Sequence, residues 1–286
     1  MSGDSTRVCV SGMAALSWDL ADEIAMYGRT GTDLIGLPAL KVANHGIAGV
    51  ADLLEEHAVR LGYLVHPLRA HPDDDKGWER QLAELADAVR HAHDLGAGTV
   101  YLTSGSSGHL GWERAADLFT ERLAALVQFA GSLQVRLAVE NTMSLRSDIS
   151  FTHTAADAFA LADRAGMGVC LDLYCCWQER GLGELISGRT PQIEIVQVSD
   201  FMLGTSSFPN RWVPGDADLP VESLLAQVLR AGYEGIVDAE LIGPAIEEEG
   251  PESALRRSVS WMRAQIAAPT QNPRIPESHN PRTRVR

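Results

Sequence analysis

A glycine followed by a short apolar run returns along this chain at a nearly fixed interval. Gly62 leads into Tyr63-Leu64-Val65, Gly96 into Thr99-Val100-Tyr101-Leu102, Gly131 into Val135 to Val139, Gly166 into Val169-Cys170-Leu171, and Gly232 into Ile236-Val237. The intervals between these glycines are 34, 35, 35 and 66 residues, the last a near double step with the apolar run 193–198 in its middle. Each junction reads as a helix closing at a C′ glycine and feeding a short buried strand. A period of about 34 residues also suits helical-hairpin solenoids. Here, however, every unit opens with five or six β-branched or apolar residues before an amphipathic stretch, so strand–helix alternation is the better reading.

Strands are expected at 8–10, 34–37, 63–66, 99–102, 135–140, 168–173, 193–198 and 236–241. Between them, Leu82, Leu85, Ala86 and Val89 fall on one helical face, and 118–129 shows the same pattern. Ser17 ahead of Trp18-Asp19-Leu20 and Thr154 ahead of 155–165 read as helix starts. Eight strands, each followed by a helix, in 286 residues of which 45% are hydrophobic, is the arithmetic of an α/β fold of the (β/α)8 TIM barrel type in a single domain. The rival is a doubly wound open sheet, but no GxGxxG follows the first strand. The barrel is placed at residues 1–267. Residues 268–286, with prolines at 269, 273, 276 and 281, are expected to be a disordered C-terminal tail.

Charge and cysteines exclude several function classes. Lys and Arg number 24 against 38 Asp and Glu, a formal charge of −14, and the tail holds four of the arginines, so the folded part is more acidic still. A basic footprint for nucleic acid or an anionic membrane is missing. Cys9, Cys170, Cys175 and Cys176 have no paired CxxC spacing and read as reduced thiols. MSGDSTRVCV lacks the basic and long apolar regions of a leader, and no window approaches eighteen apolar residues. The expectation is a cytoplasmic protein with a small-molecule substrate, without nucleic-acid or membrane partners.

In a barrel of this type the C-terminal strand ends face the active site, and polar residues fall there repeatedly. Strand three ends at His66, strand five at Glu140-Asn141, strand six at Asp172, strand seven at Gln197 and Asp200, strand eight at Glu240. Carboxylates after Leu-Ala-Val, Val-Cys-Leu and Val-Asp-Ala are costly at such depth unless neutralised. Taken singly, Glu140 and Glu240 also suit structural ion pairs, and Asp172 suits a helix N-cap. Three such coincidences on one barrel face favour a shared oxygen-rich site that holds a divalent metal.

The runs Leu137-Ala138-Val139-Glu140-Asn141, Val169-Cys170-Leu171-Asp172, Val196-Gln197-Val198-Ser199-Asp200, Arg211-Trp212-Val213-Pro214-Gly215 and Gly232 to Glu240 resemble, in order and spacing, the xylose isomerase-like family of sugar isomerases and epimerases. The likeness spans about residues 8 to 265. It implies that Glu140, Asp172 and Glu240 bind one divalent metal and that Glu140 and Glu240 move protons. It also implies that Arg211 holds a substrate oxygen. Two positions depart from the family pattern: Gln197 stands where a metal-binding histidine is usual, and Cys175 stands where another histidine is common. A Gln197 carbonyl oxygen completes an all-oxygen site, which favours Mn2+ or Mg2+, with Co2+ and Zn2+ as further candidates.

Such a site chelates adjacent hydroxyl and carbonyl oxygens and stabilises an enediolate while two glutamates remove and return a proton. Isomerisation or epimerisation of a sugar or related polyhydroxy carbonyl compound follows. The same proton abstraction starts a β-elimination, so a lyase acting on a 3-keto-glycoside, including carbon-glycoside cleavage, is the alternative enzyme. A non-catalytic barrel that binds a small molecule through a degenerate metal site is the alternative outside catalysis. His66, Trp18 and Trp112 are further candidates for substrate contact, the tryptophans because their flat faces stack on sugar CH groups. Family resemblance also suggests a homo-oligomer, although no face for it is identifiable.

Overall fold

A computed structural model describes residues 6–268, so the disordered tail expected at 268–286 lies outside the described residues except for Ala268. In chain order the elements are β1 (Arg7–Ser11), α1 (Leu20–Gly28), β2 (Leu34–Pro38), α2 (Ala39–His45), α3 (Ile47–Glu56), β3 (Arg60–Pro67), α4 (Asp75–Asp94), β4 (Thr99–Thr103) and α5 (Trp112–Ser132). The second half comprises β5 (Arg136–Glu140), α6 (Ala155–Ala165), β6 (Gly168–Asp172), α7 (Leu173–Cys176), α8 (Leu182–Ile186), β7 (Ile193–Val198), α9 (Val221–Arg230), β8 (Ile236–Ala239), α10 (Pro244–Glu249) and α11 (Pro251–Ala267). The strands run parallel in sequential order, and β1 closes on β8 with Val8 opposite Val237. This is a (β/α)8 TIM barrel. No helix among the described residues is long and apolar enough to cross a membrane.

The repeat is real, but its glycines do not all do one job. Gly96, Gly166 and Gly232 have positive φ at helix–strand junctions. Gly62 lies inside β3 and Gly131 inside α5. At those two junctions the left-handed residues are Ala58 (φ 53°) and Gln134 (φ 58°), which accept some backbone strain. Helix starts also shift. Thr154 caps α6 by accepting from the Asp157 amide, whereas α1 begins after Asp19, not Ser17, because the Asp19 carboxylate accepts from the Ala21 amide.

Strand alternation separates two cores. Cys9, Leu34, Tyr63, Tyr101, Ala138, Cys170, Ile195 and Ile236 form a layer inside the barrel, while their sequence neighbours pack against the helices. Moving two residues up each strand reaches the next inward layer, because side chains repeat every second residue. That layer comprises Ser11, Gly36, Val65, Thr103, Glu140, Asp172, Gln197 and Asp238. Apolar filling thus gives way to polar groups in one step. Gly36 is required here, because a Cβ at that position would lie 1.9 Å from the Tyr63 ring.

Candidate active site

Three carboxylates converge at the C-terminal mouth of the barrel. Glu140 at the end of β5, Asp172 at the end of β6 and Glu240 just past β8 each offer an oxygen, and these oxygens lie within 4.8 Å of one another. All three residues are buried. Asn141 fixes the seam between two of them: its side chain accepts from the Asp172 amide at 2.9 Å and donates to the Asp172 carbonyl at 3.0 Å. The Asp172 carboxylate caps α7 through the Tyr174 amide at 3.0 Å and accepts the Cys175 thiol at 2.9 Å. Asp172 is therefore both an N-cap and a member of the cluster.

A fourth charge lies among them. The Arg211 Nη2 is 2.8 Å from an oxygen of Asp172 and 2.8 Å from an oxygen of Glu240. Its Nη1 donates to Ser199 Oγ at 3.1 Å, and the guanidinium lies 4.2 Å from the centre of the Tyr174 ring. Arg211 belongs to the loop between β7 and α9, which is anchored by Asp200. The Asp200 carboxylate accepts from the amides of Phe201, Gly215, Ala217 and Leu219, and its backbone pairs with Trp212.

The two glutamates differ in environment. Among the described residues no donor hydrogen-bonds the Glu140 carboxyl, and burial, then the negative charges of Glu240 and Asp172, push it well above the ordinary carboxylate range. Glu240 is pushed up by burial to about 7, with Arg211 pulling the other way. Gln197, fully buried, donates its amide to Tyr101 Oη at 3.3 Å and to Asp238 at 3.4 Å, and its own Oε1 has no partner among the described residues. Burial raises Asp238 to about 6, while Tyr63 donates to it at 2.9 Å.

The remaining sequence-derived candidates are more dispersed. His66 lines the same cavity as Glu140, Glu240, Arg211 and Cys175, but alternation turns it away from the barrel axis towards the helices. Trp112 packs edge-on against Phe151 at 6.3 Å under the Arg164 guanidinium, and Trp18 is 40% exposed ahead of α1. Neither tryptophan lines that cavity. Sequence reasoning passed over Tyr174, Ser199 and Asp238. The signal for Asp238 was available, since it shares the inward parity of Glu240.

This donor set can hold a metal. Three carboxyl groups with oxygens within 4.8 Å of one another offer more oxygens than one guanidinium occupies, and the buried Gln197 amide oxygen has no partner among the described residues. Oxygen-only donors of this kind suit hard divalent ions.

A protein from Sinorhizobium meliloti 1021 superposes with a TM-score of 0.80 at 20% identity, covering 90% of this chain and 97% of its own. A xylose isomerase domain protein from Alicyclobacillus acidocaldarius gives 0.76 at 20% identity, covering 92% and 99%. A 3-keto-D-glucoside 4-epimerase from E. coli gives 0.74 at 15% identity, covering 91% and 99%. No curated protein matches in sequence. At these identities the structural likeness establishes the fold. The family is established by sequence, because the xylose isomerase-like TIM barrel model matches residues 22–265, and the chain belongs to that family.

Proposed function

We propose that the chain is a divalent-metal-dependent isomerase or epimerase of a sugar or related polyhydroxy carbonyl compound. The observation that carries this reading is the convergence of Glu140, Asp172 and Glu240, with the two glutamates in unlike surroundings. Glu140, Asp172 and Glu240 would hold the metal, with the free Gln197 oxygen as a fourth donor. Mn2+ or Mg2+ suits such ligands best. The bound ion would polarise neighbouring substrate oxygens and offset negative charge as it develops on them.

The protein's own groups then divide the work. Pairs of carboxyls whose environments push their pKa values apart mark acid and base roles. Glu240, ion-paired to Arg211, is the group suited to take a proton from the carbon beside the carbonyl. Glu140, which lacks a cationic partner, is suited to deliver one. Arg211, held by Ser199 and Tyr174, presents its guanidinium to a substrate oxygen. The four free thiols fit a reducing compartment such as the cytoplasm.

Metal content and solvent proton exchange test the reading. Protein reconstituted with Mn2+ should hold one ion per chain and catalyse deuterium uptake from D2O at the carbon next to the carbonyl of a polyhydroxy ketone. Glu140→Gln and Glu240→Gln should each abolish that uptake while remaining folded. A chain that takes up no divalent ion from excess, or uptake unchanged in both variants, would overturn it.

A further inference from the structure

The cavity above the carboxylates is larger than a bare sugar head requires. It encloses about 560 Å3, inside the range of roughly 300–1,000 Å3 that houses drug-sized ligands. One part is the barrel mouth with Glu140, Glu240 and Arg211. A second part leaves the barrel and runs between α2 and α4, walled by Leu40 and Ala43 on one side and by Glu84, Ala88 and His91 on the other.

Two independent features mark this lateral arm as built to hold something. His66 stands against it on the outward face of β3, only 8% exposed, and its Nε2 has no partner among the described residues. Burial pushes the His66 imidazole down from its ordinary pKa, so it presents a neutral hydrogen-bonding nitrogen. His91 Nδ1, on the α4 wall, is likewise buried without a partner. The other feature is apolar: Leu16, Leu40 and Phe208 are three of the seven large hydrophobic side chains exposed among the described residues, and all three line this cavity. Clustered exposed apolar groups around a concave site mark a binding surface.

Charge narrows the occupant. The walls from α2 and α4 contribute two carboxylates, Glu84 and Asp87, while Arg69 and Arg146 line the same cavity from the loops after β3 and β5. These charges offset one another, and the apolar walls with the unpartnered His66 nitrogen accommodate a neutral ring with an apolar face and hydrogen-bonding groups. We infer that the ligand is a conjugate: a polyhydroxy head at the carboxylates, joined to a second, apolar-faced ring that lies over Leu16, Leu40 and Phe208 and enters the α2–α4 arm, where His66 hydrogen-bonds it. This rests on the reading that the carboxylate centre handles a polyhydroxy compound. A free monosaccharide leaves the arm empty, and an aryl glycoside fills both parts, with a keto group on its sugar ring supplying the carbonyl that the carboxylate centre acts beside.

Calorimetric titration with methyl and phenyl β-D-glucopyranoside tests the inference. The wild-type chain should bind the phenyl glucoside at least about ten-fold more tightly. Ala43→Trp blocks the arm and Leu40→Asp removes its apolar wall, and both positions are exposed, so the fold is retained. Each should cut the phenyl advantage at least about five-fold and leave the methyl glucoside unchanged, as expected where only ring burial is lost. Equal affinities in wild type, a phenyl advantage intact in both variants, or no phenyl glucoside binding at millimolar concentration would each overturn it. The two readings fail separately. Phenyl-selective binding by a chain without metal uptake sinks the isomerase reading alone, and one metal per chain without phenyl preference sinks the conjugate alone.

Discussion

Replacing Arg211 with methionine removes the only cation that contacts the carboxylate cluster among the described residues, and leaves a side chain of similar length. Its Nη2 lies 2.8 Å from both Asp172 and Glu240, and at an effective dielectric near 20 each pair is worth about 6 kcal/mol before desolvation is charged against it. Removing one member of a buried charge pair costs about 3–5 kcal/mol in practice, because the partner is left unpaired. The metal-free Arg211→Met variant should therefore lose about 3–5 kcal/mol in urea unfolding at pH 8. At roughly 2–4 °C per kcal/mol for a domain of comparable size, its Tm should fall by about 10 °C. The loss should shrink towards pH 5, where the released Glu240 carboxyl takes up a proton. Mn2+ should restore the variant and bind it more tightly than wild type, since no guanidinium has to leave the same oxygens. A loss below about 1 kcal/mol, the value of an exposed pair, together with unchanged Mn2+ affinity, would refute the reasoning.

Three other perturbations follow from the same geometry. Glu240 rises on folding from an ordinary value of 4.5 to about 7, so the folded chain binds a proton that the unfolded chain has released. Stability is fully present below about 4.5 and falls as the pH rises to 7, by about 3 kcal/mol; unfolding at pH 5 and 7.5 should show that slope in metal-free protein and a flatter one in Glu240→Gln. Asp200→Ala strands four amides that now donate to one carboxylate, and should cost at least about 3 kcal/mol with faster proteolysis between residues 202 and 219. Gly36→Ala drives a Cβ into the Tyr63 ring and should cost about 3 kcal/mol, whereas in a Tyr63→Val background the same change should be nearly neutral, a coupling that a double-mutant cycle in urea reads directly.

The barrel was legible because its period and its apolar runs are local properties of the chain. Strand ends were less so: β8 closes at Ala239, and Glu240 stands just beyond it, a boundary set by pairing with β7 and not by the apolar run. The three carboxylates were visible as polar residues interrupting buried strands. Their relation to Arg211 was not, because 39 residues separate it from Asp172 and 29 from Glu240, and only the loop fold brings them together. His66 illustrates the other limit. A strand-end position identified it, but the alternation that turns it outward, away from Tyr63 and Val65, decides what it faces, and that parity follows from the register of β3 against its neighbours.

Asp200 divides the loop between β7 and α9 into two parts with different tolerance for change. Residues 210–219 are bound to Asp200, through the amides of Gly215, Ala217 and Leu219 on its carboxylate and through Trp212 on its backbone, and Arg211 also donates its amide to the Ile242 carbonyl at 2.9 Å. Residues 202–208 make a largely exposed excursion whose ends are fixed at Phe201 and Trp212, and they bring Phe208 to the cavity rim. Insertions or deletions in the excursion would reshape the rim without shifting the guanidinium. Ligand choice and charge placement are thus independently variable in one connection, so related chains can diverge in what they accept while the electrostatic centre stays where it is.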